Sequence, residues 1–401
     1  VGLNFRRGVT KGGQGPAVPH DRRYVFERLE GKSEAIGVVG LRNHTEIGQA
    51  RRTAEARRDR RLSGRGRGRA KPHSRSAIYA LSLAIYCTSW TFFGSVGLAS
   101  KSGLDFLAIY VGPVLMITLA FPLFSHVVRV AKTERITSIA DFIASRYGKS
   151  ASVGAFASLI AVLGTVPYIA LQLKAISTTV DTMVNRVEPS VLGLEGAPVD
   201  TSFFVSILLA LFAVLFGTRN TDATEHHDGL MLAVATESIV KLMAFLVVGL
   251  YATFYLFGGI GDLVEQAQNS PFVSTTFFGG IHPTRFLVYT LLSFSAFVLL
   301  PRQFHVGVVE NHSKEELKTA RWMFPLYLVL INLFVIPVAI AGMLTFGTSV
   351  DADTYVLALP LVNNDWAVSF LVFVGGLSAA TAMVIVACVA LAIMISNNII
   401  L

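Results

Sequence analysis

The chain has 401 residues, 53% of them apolar and 15% charged, and a mean hydropathy of +0.57. Water-soluble domains hold about 45 to 50% apolar and about 25% charged residues, so the balance argues against an ordinary soluble enzyme and for lipid as the surrounding medium. The formal charge of +8 is compatible with this because residues 1–76 hold 19 of the 34 Lys and Arg and 7 of the 26 acids, a net of +12, while the other 325 residues sum to −4.

Residues 1–76 read as a basic, disordered leader. Its stretch RRTAEARRDRRLSGRGRGRAKPHSRS alternates Arg with Ala, Gly and Ser and has no interleaved aromatics, so it is expected to be solvated or drawn to anionic headgroups, and no nucleic-acid partner is expected. The leader contains no apolar core of 7 to 15 residues followed by a small-residue cleavage site, and no signal peptide is expected from it.

From Ala77 onward the pattern changes. A bilayer core about 30 Å thick is crossed by about 20 apolar residues in a helix. Eight runs meet that length: 77–99, 104–131, 151–180, 201–217, 229–257, 285–308, 322–346 and 366–396. Residues 77–401 are therefore expected to form an all-α polytopic membrane domain of about eight transmembrane helices. Between the second and third runs, Thr137 to Tyr147 places Ile139, Phe142 and Ile143 after Ser138 as N-cap, which predicts a short helix at the membrane surface.

Cytoplasmic loops keep an excess of Lys and Arg. If the leader is inside, the inner loops hold Arg129, Lys132, Arg135, Arg146, Lys149, Arg219, Lys314, Lys318 and Arg321, and the outer ones Lys101 and Arg186. Both termini are thus expected to be cytoplasmic, in a bacterial plasma membrane. Cys87 and Cys388 lie in apolar runs and read as small hydrophobes, with no disulfide and no metal site expected.

Polar groups at bilayer depth are costly unless paired or hydrated. The first run carries Tyr86, Cys87, Thr88, Ser89 and Trp90 near its middle, and the sixth carries Pro301, Arg302, Gln303 and His305. Both stretches can unwind, and unwound backbone at mid-membrane frees carbonyls for a cation or solute. Close packing through small residues is the alternative for the first stretch. In the third run Tyr168 and Gln172 share a face after Pro167, and in the fifth Glu237 and Lys241 are spaced to form an ion pair.

The segments ALSLAIYCTSWTFFGSVG, RITSIADFIASRYG, PYIALQLKAIS, DATEHHDGLMLAVATESIVKL, LLPRQFHVGVVENH and GGLSAATAMVIVACVALAIMISNN resemble, in order, the sodium/solute symporter family. Within it they are most similar to the symporter-like input domain of bacterial hybrid sensor histidine kinases. The resemblance implies a leucine-transporter-type inverted-repeat fold, with core helices one to eight of ten present, and the chain is expected to be part of a longer protein. It implies a substrate cavity at Thr88, Trp90, Tyr168, Phe297 and Gln303. It also implies sodium or a proton as coupling ion, with sodium ligands at Ile85 and Thr88 in the first helix and Ser378 and Thr381 in the eighth. The adjacent hydroxyl pair usual in sodium-coupled members reads Thr381–Ala382 here, and Cys87 stands about where some members carry an acid.

These implications give a membrane domain for a small solute, an amino acid of proline or histidine type, serving as input module to a cytoplasmic kinase. A stand-alone permease and a non-functional fragment or scaffold are the alternatives. The chain itself reads as no enzyme, since it has neither a phospho-acceptor histidine helix nor a glycine-rich ATP-lid motif. Glu225, His226, His227 and Asp228 read as part of an ordinary loop, not as a metal site.

Overall fold

The computed structural model describes residues 72–184 and 228–400, with six isolated positions between 203 and 211. Among the described residues the regular structure is all helical. In chain order the helices are α1 (Pro72–Ser82), α2 (Ser95–Ser102), α3 (Ala108–Thr118), α4 (Phe121–Thr133), α5 (Ile139–Arg146), α6 (Ala151–Val184), α7 (Asp228–Leu250), α8 (Ile260–Asn269), α9 (Pro271–Phe278), α10 (Pro283–Leu299), α11 (Pro301–Phe304), α12 (Lys314–Asn332), α13 (Val335–Phe346), α14 (Tyr355–Val362) and α15 (Trp366–Ile395).

Each of the seven apolar runs that fall within the described residues coincides with a helix or a broken helix. The run 201–217 lies outside them. Four continuous helical stretches, Ala151–Met183, Asp228–Leu256, Lys314–Phe346 and Trp366–Ile400, are long and apolar enough to cross a bilayer, and α10 with the segment Pro301–Val309 forms a pair bent by 55°. The stretch Trp90–Thr118 also passes on length, but it is not one rod. Gly103 sits at φ +56, and the Tyr86 hydroxyl donates to the Ile109 carbonyl at 2.9 Å, so the chain folds back between α2 and α3.

The surface matches lipid. Large apolar side chains are exposed along α6 (Leu159, Ile160, Leu163), α10 (Leu287, Leu291, Leu299), α12 (Leu326, Val329) and α15 (Phe370). A water-soluble monomer rarely shows such contiguous apolar area. Inside, helices approach through small residues, as lipid-embedded bundles do. At Gly112 on α3 the backbone of α10 is so near that a Cβ would stand 2.6 Å from the Thr290 carbonyl oxygen.

Polar contacts gather in two layers at opposite ends of the bundle. In one, Arg75 pairs with Asp228 at 2.8 Å and Glu316 at 3.4 Å, Lys132 donates to Asn311 at 2.7 Å, and Asn397 and Asn398 donate to Thr137 and Asp141. In the other, buried Asp105 accepts from the His282 amide at 3.0 Å and from Arg285 Nε at 2.7 Å. The chain runs from the first layer to the second through residues 75–105 and returns through α3 and α4. It leaves the first layer again along α6, whose Gly154 lies beside Asn398. α7 likewise starts at Asp228 in the first layer. The expected outer set therefore gains Arg285, held beside a buried carboxylate.

Helix starts follow local chemistry. Ser138 accepts from the Asp141 amide to open α5, as its N-cap position predicts. The seventh segment begins at Lys314, eight residues before the apolar run, because Ser313 and Glu316 form a reciprocal capping box. Hydropathy alone stops at the first charged turn.

A cavity at two helix breaks

The first break follows from residues that compete with their own helix. α1 tightens into a 3₁₀ turn, Leu83–Tyr86, and Cys87 then turns extended at φ −83, ψ 98. Ser and Thr oxygens offer the backbone other partners, and Thr88 Oγ1 accepts from the Trp90 amide at 3.2 Å, capping the helical turn Trp90–Gly94 that leads into α2. The second break follows from Pro301, which has no N–H to continue the ladder. Leu300 is extended at φ −67, ψ 128, and α11 starts directly after it.

The two breaks face each other. Gln303 Nε2 donates to the Leu83 carbonyl at 3.2 Å, and the Tyr86 and Phe297 rings lie 6.4 Å apart. Beside them is a cavity of about 180 Å³ whose lining includes Tyr86, Trp90, Thr165, Tyr168, Leu300 and Arg302. That volume holds several waters, and so a small polar solute. A second cavity of about 180 Å³ lies toward α14, lined in part by Gln172, Lys174, Asp351 and Asp353. The Trp90 side chain borders both cavities and lies over Gly94, where a Cβ would stand 2.8 Å from the indole.

Arg302 dominates the electrostatics of the first cavity. It is 3% exposed, its guanidinium lies over the Tyr168 ring at 4.7 Å from the centroid, and its Nε has no hydrogen-bond partner. No carboxylate among the described residues pairs with it. A buried cation that lacks an acidic partner is costly, and a guanidinium matches a carboxylate through two parallel hydrogen bonds. A carboxylate in the cavity would supply the partner that the guanidinium lacks.

Of the residues expected at the substrate site, Trp90 and Tyr168 line this cavity, and Thr88 Oγ1 shares a hydrogen bond with the Tyr168 hydroxyl at 3.1 Å. Phe297 is buried among Tyr86, Phe124 and Phe324, and Gln303 is buried as the tie between the breaks. Neither lines the cavity. Gln172 accepts from the Ser89 amide and hydroxyl at 3.2 and 2.6 Å, so α6 holds the break from its far side. Arg302 stood within a motif already singled out, yet its role depends on α6 bringing Tyr168 beneath it.

The expected sodium ligands are arranged otherwise. Thr88 is engaged as described. Ser378 Oγ donates to the Glu237 carbonyl at 3.3 Å, and Thr381 Oγ1 donates to Leu377 within its own helix at 2.8 Å. At the end of the first helix the Cys87 carbonyl accepts from Lys241 Nζ at 2.6 Å, and the Ala84 carbonyl accepts both from Lys241 Nζ at 2.9 Å and from the Cys87 amide at 3.0 Å. Ile85 lies buried in the same turn, so a sodium ion on the expected ligands would stand beside a buried ammonium, and the residues present do not fit one. The expected Glu237–Lys241 ion pair is also corrected: Lys241 reaches across to α1, and Glu237 Oε2 has no hydrogen-bond partner. Helical spacing put the two on one face without showing that a broken helix faces it. Of the Glu225–Asp228 motif, the described residue is Asp228, paired with Arg75.

Long apolar helices, two of them broken, in an all-helical bundle with an apolar surface define a multi-pass membrane protein. No family model matches the chain. It is 27% identical over 313 residues, 77% of its length, to YhjB of Bacillus subtilis (strain 168), described as an uncharacterized symporter. Those residues span 59% of YhjB, less than two thirds of its length. In fold it is similar to a Na+-coupled sialic acid symporter solved in a substrate-bound, outward-open state, with a TM-score of 0.57, 14% identity, and coverage of 83% of this chain and 66% of that one.

Proposed function

We propose that the chain is the solute-binding membrane part of a symporter-type carrier or sensor, and that its solute is a small carboxylate, an amino acid of proline or histidine type. The observation that carries this reading is Arg302: a buried guanidinium over Tyr168, facing a cavity at two helix breaks, without an acidic partner among the described residues. The likeness to YhjB supports solute transport as the general activity. The layer holding Arg75, Lys132 and Lys314 faces the cytoplasm of a bacterial cell in this reading, because basic residues gather there.

Binding of tritiated proline and histidine to the purified chain tests the solute class. Saturable binding of one of them, competed by other amino acids but not by pyrrolidine or histamine, is the expected result. Equal competition by these decarboxylated amines contradicts the role given to Arg302, and binding of neither label contradicts the amino-acid class.

The input role toward a kinase rests on the resemblance of the six segments taken together. It predicts that solute added to the parent protein changes its autophosphorylation rate. An unchanged rate with solute bound argues for the stand-alone permease.

A further inference from the structure

We infer that Lys241 is a resident cation of this fold, and that its ammonium takes the place of bound sodium at the first helix break, so that the chain binds no sodium there. Lys241 is 1% exposed, and it projects from the middle of α7 to the turn in which the first helix breaks. Two of its three N–H groups are donated to Ala84 and Cys87, at 2.9 and 2.6 Å. Those oxygens belong to residues i and i+3 across the turn before the break, which lets them converge on one cation.

The surroundings agree from each helix packed against this stretch. From α15, Ser378 bonds the Glu237 carbonyl, one turn before Lys241, and a Cβ at Gly375 would touch Ala244, just beyond it. α15 therefore runs alongside the lysine. From α12, Tyr327 donates to the Ser238 carbonyl at 2.9 Å, which fixes the turn that precedes Lys241. A metal ion in this place loses its backbone ligands and meets a like charge.

The inference does not depend on which solute binds, and its test uses none. Purified full-length protein is mixed with ²²Na⁺ in a scintillation proximity assay, and its melting temperature is followed in sodium chloride and in choline chloride at equal ionic strength. Counts unchanged by excess unlabelled sodium, and one melting temperature in both salts, are expected. Saturable ²²Na⁺ binding, or a melting temperature raised by sodium alone, overturns the inference. Lys241→Met keeps the volume and removes the charge, so it should melt below the native chain in both salts. Melting at the native temperature would show that the ammonium does not hold the break.

Discussion

Among the buried charges of the described residues, Arg302, Lys241 and Asp105 are each handled differently. Lys241 is neutralised by carbonyl oxygens, Asp105 by an amide and Arg285, and Arg302 only by the face of an aromatic ring. Two like charges 4 Å apart at an effective dielectric of 20 repel by about 4 kcal/mol, enough to keep a metal cation away from the Lys241 ammonium. Arg285→Ala leaves the Asp105 carboxylate buried with only the His282 amide. Its unfolding free energy should fall by about 3 kcal/mol, the low end for a broken buried pair because Arg285 is partly exposed. The double variant Asp105→Leu with Arg285→Leu should recover part of that loss in denaturation, and a still less stable double variant would contradict the argument. The break at Thr88 was legible in the sequence, because a cluster of hydroxyls within an apolar run competes for the helix's own hydrogen bonds. The fates of Phe297 and Lys241 were not, since helical period gives a residue's own face and says nothing of the partner across it.

At the scale of elements, long apolar helices and their breaks could be read directly, because hydropathy and Pro301 act locally. α8, α9 and α14 could not. α8 is amphipathic and short, with Leu263 and Ala267 buried on one side, and α14 is only eight residues long, with most of its side chains covered. Neither reaches the length that marks a span. The pairing of α3 with α10 brings the second helix against the broken sixth, and Gly112 is its closest point. Adding one methyl there forces the backbones apart, an overpacking that costs about 1 to 3 kcal/mol. Gly112→Ala should therefore lower the melting temperature in detergent, whereas Gly164→Ala, with open space around its Cβ position, should not. Equal melting of the two variants would refute this account of the contact.

At the scale of the molecule, the two polar layers and the chain's passage between them set the topology. Labelling single cysteines in whole cells, in a background with Cys87 and Cys388 replaced by Ala, tests the orientation. Lys318→Cys should react with a membrane-impermeant maleimide only after permeabilisation, and Lys101→Cys before it. The reverse pattern would invert the proposed topology. The alternation itself was legible from where Lys and Arg fall, but the meeting of both breaks at one cavity was not, because about 215 residues separate Tyr86 from Arg302 and only the folded bundle joins them. That meeting is the centre of the account, and tritiated amino-acid binding to the native chain beside Arg302→Gln and Arg302→Lys measures it. Loss of a charge-assisted hydrogen bond of about 1.5 to 3 kcal/mol weakens binding about tenfold to a hundredfold. The account predicts that loss for Arg302→Gln and partial retention for Arg302→Lys; native affinity in Arg302→Gln would contradict it.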